Sequence, residues 1–386
     1  MKHSIKHLGE FTAHLNDARS ARSFLNVPFS NPGNRRGRLA VLAGGAAIGG
    51  VAAFVTAPAV ATALGAAALA KGGLLGGAGK VGAAVLGSRL TASALGSYKG
   101  LRLAKSYLDD LQHFEFVPAA NLVNGKESAH QYVFINGFLS QDEQEFGDWH
   151  QAINDLKSFY RPFSAPQRHL PFTDLHQANG WHLRWDAKHL RELQLSLAGS
   201  SMQSLLTKNW RQAPVNVLTG LADNAWHHAY TNARKAGILL ADAIWSTPEH
   251  QRFTLVGHSL GARVVFHALQ RLHTLQQRES GAEPRVRHAV LLGAAQGRRH
   301  RYQWQHVSAA CSGHVFNCYS KQDQVLRWLY QGANLGMSRP AGRGEVPAPA
   351  VNIDCSAWVD GHRQWKRSLA TIFQHGMLSE GNVPEV

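Results

Sequence analysis

Gly257-His258-Ser259-Leu260-Gly261 matches the pattern G-x-S-x-G. Five residues are a weak signal in a chain with 37 glycines. Their setting is stronger. The strand-like run RFTLVG (252–257) leads straight in, and the helical stretch LGARVVFHALQRLH (260–273) leads straight out. A nucleophile elbow needs this arrangement, because a sharp strand-to-helix turn strains the serine and tolerates only small residues two positions either side. Ser259 would then stand above a sheet at a helix N-terminus, where its Oγ can attack an acyl carbonyl.

A serine hydroxyl is a poor nucleophile until an oriented base takes its proton. On an α/β-hydrolase fold the acid follows the serine in the chain and the histidine follows the acid. His362, in the loop VDGHRQW, is the predicted base, since small Gly361 lets its ring reach over the elbow. His375, within LATIFQHGML, reads as a structural residue of a terminal helix. Asp323 is the favoured acid, three residues beyond the strand-like HVFNCYS (314–320). Asp354, inside VNIDCS (351–356), and Asp360, two residues before the histidine, stay open as alternatives.

Acyl transfer also needs N–H donors for the developing oxyanion. The main chain of Leu260 supplies one, and that of Phe138, after HQYVFING (130–137), is expected to supply the other. Asn136-Gly137 also reads as an ordinary tight turn.

These groups need a rigid frame. Besides the runs already quoted, WHLRWD (181–186) and RHAVLLG (287–293) read as strands, and YKGLRLAKSYLDDLQHFEF as a helix leading into a strand. ARKAGILLADAIW (233–245) repeats Ala236, Leu240 and Ile244 every four residues, a helical spacing interrupted by Gly237. Apolar strands alternating with amphipathic helices predict an α/β fold with a mostly parallel sheet covered on both faces. The segment 188–250 reads either as a lid over the site or as a plain helical layer.

The front of the chain is different. Residues 39–70 carry no charge, and 72–88 only Lys80. Small residues four apart, such as Gly45 and Gly49 or Gly73 and Gly77, let helices approach closely in a membrane. Arg35, Arg36 and Arg38 before the block, with Arg89, Lys99 and Arg102 after it, fit a hairpin with both ends cytoplasmic. The competing reading is an Ala-rich helical pair buried in a soluble protein. The expected organisation is a basic polar segment 1–38, a Gly/Ala-rich apolar block 39–98 with its membrane contact at 39–88, and a catalytic domain 99–386.

Charge agrees with this division. The chain carries a net +15, of which residues 1–105 hold 13 cations against Glu10 and Asp17, or +11. No aromatic or recognition-helix pattern accompanies them, which argues against nucleic acid and for an anionic membrane surface. No cleavable signal is expected, because the first 38 residues are polar. Cys311, Cys318 and Cys355 lack paired spacing, which points away from a disulfide scaffold or zinc site and toward a reducing compartment. His227-His228 has no ligand-spaced partner, so no metal is expected. The chemistry needs no cofactor, and no feature specifies an oligomeric state.

FINGFLS, LRWDAKHLREL, LVGHSLGARVVFHAL, AVLLGAA, YSKQDQVLRWLY and VDGHRQW, in this order, resemble a little-characterised α/β-hydrolase family. It includes the eukaryotic transmembrane and coiled-coil domain hydrolase-like proteins. The resemblance covers residues 99–386, and members also carry a Gly/Ala-rich block ahead of that domain. It implies an α/β-hydrolase fold with Ser259 as nucleophile, Asp323 as acid and Gly361-His362 as the base motif. His258 departs from the family, which often has an aromatic residue there. The resemblance implies no established substrate.

Together these features predict a membrane-associated serine hydrolase of carboxylic esters, lipase-like, with acyl lipids as substrate. Two alternatives use the same residues differently: a membrane-acting lipase toxin, or a catalytically silent interaction protein that kept the fold.

Overall fold

The computed structural model describes residues 5–11, 111, 113–120, 122, 128–137, 146–160, 170–185, 226–330 and 338–375. Met1–Asp17 and Leu111–Val386 form one unit and Ala18–Asp110 a second. The Gly/Ala block, the helix expected before residue 111, Phe138, and most of 188–250 lie outside the described residues. Among the described residues no helix is long and apolar enough to cross a membrane.

Seven strands form one sheet: β1 (Phe114–Pro118), β2 (His130–Ile135), β3 (Asn179–Trp185), β4 (Arg252–His258), β5 (Val286–Leu292), β6 (Val315–Tyr319) and β7 (Val351–Asp354). Their order is β1-β3-β2-β4-β5-β6-β7. Only β1 runs antiparallel to its neighbour; every other pair is parallel. The central strands are buried nearly end to end, as β4 shows from Phe253 to His258. Strands covered on both faces read as continuous apolar runs, which is why RFTLVG and RHAVLLG were visible in the sequence.

Helices cover both faces. On one, Trp149, Ile153 and Leu156 of α1 (Gly147–Tyr160) and Leu369, Ile372 and Phe373 of α5 (Leu369–His375) pack with Phe134, Val256, Val290 and Phe316. On the other, α2 (His227–Ser246) lies along α3 (Leu260–Arg278), with α4 (Arg301–Ala309) beside it. Gly237, the apparent interruption in the α2 pattern, has a packing role. A Cβ there would meet Val264 O at 2.5 Å and His267 Cβ at 2.8 Å, so glycine lets the two helices touch.

Residues 5–11 join this unit, although sequence reading grouped them with the polar segment 1–38. Ile5, Leu8 and Phe11 are buried, and Phe11 packs edge-on against Phe114 and Phe116 of β1.

The sheet has a switch point. From β2 the chain crosses outward to β3, then returns on the other side of β2 to β4 and proceeds the opposite way to β5. In open parallel sheets the crevice at the carboxyl ends of such a strand pair is where ligands bind. The loops leaving β2 and β4 there are Asn136-Gly137 and His258-Ser259.

Candidate active site

Ser259 sits between β4 and α3 with φ 57° and ψ −117°. Among the described residues it is the non-glycine residue with positive φ. Such a conformation costs on the order of 1–3 kcal/mol and persists only where surroundings enforce it. They do so on two sides. Ser259 donates its N–H to Leu292 O at 2.9 Å, and Ala295 donates to Ser259 O at 3.1 Å, pinning the turn to the end of β5. The flanking glycines are sterically required. A Cβ on Gly257 would meet Gly261 O at 2.6 Å, and one on Gly261 would meet Ile135 O at 2.3 Å.

His362 bridges Ser259 and Asp323. Its Nε2 lies 3.0 Å from Ser259 Oγ and its Nδ1 lies 2.7 Å from Asp323 Oδ2. All three side chains are buried. Asp323 accepts two further bonds: Trp365 Nε1–H donates to Oδ2 at 2.9 Å and Leu326 N–H to Oδ1 at 3.1 Å. Burial alone would raise this carboxyl, but the His362 ring and the two N–H donors outweigh it and hold the group below the usual carboxylate range. The loop carrying His362 is tied to the end of β6, where Ser320 Oγ–H donates to Val359 O at 2.6 Å.

The alternative carboxylates are engaged elsewhere. Asp354 ends β7, pairs with Lys321 at 3.0 Å and accepts from Ser356. Asp360 is exposed, and its own N–H donates to Gln364 Oε1 at 3.1 Å. His375 is the exposed last residue of α5, stacked on Trp358.

Leu260 opens α3, so its main-chain N–H is an unpaired helix-start donor by construction. The β2 loop closes on it: a Cβ on Gly137 would meet His258 O at 2.3 Å, Ser259 Cβ at 2.7 Å and Leu260 N at 2.8 Å. Asn136 is anchored from behind, accepting the indole N–H of Trp149 on its side chain and that of Trp185 on its carbonyl at 2.9 Å. Phe138, next in the chain, lies outside the described residues.

His258 is buried with its ring centroid 4.8 Å from that of His362. Burial first, and then the neighbouring His362 ring and Lys366 ammonium, drive its basicity well below normal. It therefore stays neutral beside the pair Ser259–His362. Among the described residues no group of three His, Cys, Asp or Glu side chains could hold a metal ion.

Sequence reasoning placed Asn136-Gly137 in the expected oxyanion loop but missed Trp365 as part of this site. Trp365 stood in the quoted VDGHRQW, three residues past His362, but nothing local linked it to Asp323.

Comparison with known proteins gives one family match, described as "Protein of unknown function (DUF726)", over residues 35–378. That span includes the Gly/Ala block as well as the sheet. The chain is 27% identical over 317 residues to the transmembrane and coiled-coil domain-containing protein STS1 of Oryza sativa subsp. japonica, covering 75% of this chain and 43% of that protein. It is 24% identical over 316 residues to the probable lipase MIL1 of Saccharomyces cerevisiae, covering 75% of this chain and 26% of that protein. An uncharacterized membrane protein of Schizosaccharomyces pombe is 26% identical over 273 residues, 68% of this chain and 32% of its own length. The chain thus spans less than half the length of these relatives.

Proposed function

We propose that the chain, which belongs to the DUF726 family, is a serine hydrolase of carboxylic esters built on the α/β-hydrolase fold. The observation that carries this reading is the contact series Ser259 Oγ to His362 Nε2 at 3.0 Å and His362 Nδ1 to Asp323 at 2.7 Å. It lies beside the sheet's switch point, on a strained elbow. Strain and a buried, bonded carboxylate both cost free energy, and nucleophilic catalysis is what gives them a use.

In this mechanism His362 Nε2 takes the Ser259 proton as Oγ bonds to the ester carbonyl carbon. The imidazolium is stabilised by Asp323, which stays ionised and fixes the ring's orientation. The Leu260 N–H and the Phe138 N–H stabilise the oxyanion. Collapse expels the alcohol, which receives the proton from His362. Water, deprotonated by the same ring, then hydrolyses the acyl-enzyme. The chemistry needs no metal or organic cofactor.

Acyl lipids at a membrane are the proposed substrate class. One relative is named a probable lipase and another an uncharacterized membrane protein, and the apolar block 39–98 belongs to the matched span. A panel of short-chain esters, long-chain esters and phospholipids, assayed with wild type and Ser259→Ala, tests the reading. Hydrolysis of long-chain substrates that disappears in the variant is expected. Activity that survives the substitution removes Ser259 from its role.

A further inference from the structure

Residues 106–386 carry a net +4, yet the stretch 294–345 alone carries seven cations against Asp323 and Glu345, a net +5. The excess is gathered in the loops that follow β5 and β6, on the edge of the sheet that holds Ser259 and Asp323. The two loops form one surface. Arg298 donates its main-chain N–H to Arg339 O at 3.2 Å, Gly297 bridges Pro340, and the Arg298 guanidinium lies against Gly344.

Arg299, Arg301, Arg327 and Arg339 are exposed, and Asp323 is buried in its bonds to His362 and Trp365. Arg299, Arg301 and Arg339 make no ion pair among the described residues. Crowded like charges destabilise the compact state, so packing gives no reason for them. Tyr302, beside Arg301, is 57% exposed and is the exposed large hydrophobic among the described residues. A tyrosine among cations suits the headgroup level of a bilayer, with its ring in the interface and its hydroxyl wet. Single-stranded nucleic acid would call for several stacking rings along the groove rather than one.

We propose that this arginine rim, with Tyr302, docks the carboxyl edge of the sheet onto an anionic phospholipid bilayer. The contact needs no hydrolysis. It would turn the strand ends that carry Ser259 and Asp323 toward the lipid surface.

The test uses the full chain carrying Ser259→Ala, so that turnover cannot alter the vesicles. Partition is measured onto phosphatidylcholine vesicles with and without phosphatidylglycerol, at low and high salt. Each cation near such a surface contributes roughly a fivefold change in partition, so Arg299→Gln/Arg301→Gln should bind the anionic vesicles about 25-fold more weakly. Arg252→Gln/Arg278→Gln has the same net charge, but Arg252 opens β4 and Arg278 ends α3, both at the opposite edge of the sheet, and partition should be unchanged. Salt should erase the difference. Equal losses in the two double variants, or no preference for anionic vesicles, would overturn the proposal. So would tighter binding of the same arginines to polyuridylate in competition with vesicles. A failed hydrolase assay would leave this partition measurement intact, so the two readings fail separately.

Discussion

Trp365 donates its indole N–H to Asp323 Oδ2 at 2.9 Å, the same oxygen that meets His362 Nδ1 at 2.7 Å. The tryptophan thereby fixes the carboxylate's rotation as well as its charge. Trp365→Phe keeps most of the buried ring and removes only this donor. Hydrogen bonds to charged groups are worth about 1.5–3 kcal/mol, so kcat should fall by roughly tenfold to a hundredfold with KM little changed. Steady-state kinetics on a soluble ester check this.

Among the carboxylates, Asp323 alone should matter to the chemistry. Asp323→Asn leaves the size but disturbs the histidine's tautomer, and kcat should drop about 10⁴-fold. Asp354→Asn and Asp360→Asn should stay within a few-fold of wild type, since Asp354 pairs with Lys321 and Asp360 is exposed. Comparing the three rate constants separates the assignments.

Gly137→Ala should damage the site more than the fold. The added methyl would strike His258 O and Ser259 Cβ directly at the elbow. Displacing the Leu260 N–H from the oxyanion should cost about 10²–10³ in kcat, the size of losing one such donor. The variant's melting temperature, measured alongside, should fall by far less than inactivation by unfolding would require.

How much of this was legible beforehand depends on the range of each interaction. Strands such as Arg252–His258 announced themselves because burial on both faces forces a local apolar run. Ser259, Asp323 and His362 could be picked out because an elbow, a strand end and a Gly-flanked histidine are local patterns in a fixed order. Trp365 could not, because its role is a contact with a side chain 42 residues away. Gly137 was visible as the turn of the oxyanion loop; its closeness to the elbow follows from β2 lying beside β4. Residues 5–11 were hidden for a similar reason. Ile5, Leu8 and Phe11 make too short a pattern among polar neighbours, and their burial follows from long-range packing on β1.

Acid stability should carry the mark of His182. Its ring is buried, stacked 4.1 Å from Phe146, and burial, reinforced by His150 and Lys366, lowers its pKa to about 3. The unfolded chain takes up this proton from about pH 6.5 downward, while the folded state refuses it until far lower. Stability contributed by the neutral ring is therefore complete above 6.5 and is lost as pH falls. The loss should reach about 2 kcal/mol at pH 5. Urea unfolding of His182→Phe should show a shallower decline between pH 7 and 5 than wild type.

The central claim is that Ser259 is a nucleophile activated by His362. Reaction of the folded protein with a fluorophosphonate probe, followed by mapping of the modified residue, tests it most directly. The probe phosphonylates only a serine whose proton is taken by a base. Labelling of wild type at Ser259, abolished in Ser259→Ala and strongly slowed in His362→Ala, is the predicted result. A folded wild-type protein that fails to react, or one labelled equally after Ser259→Ala, would contradict it.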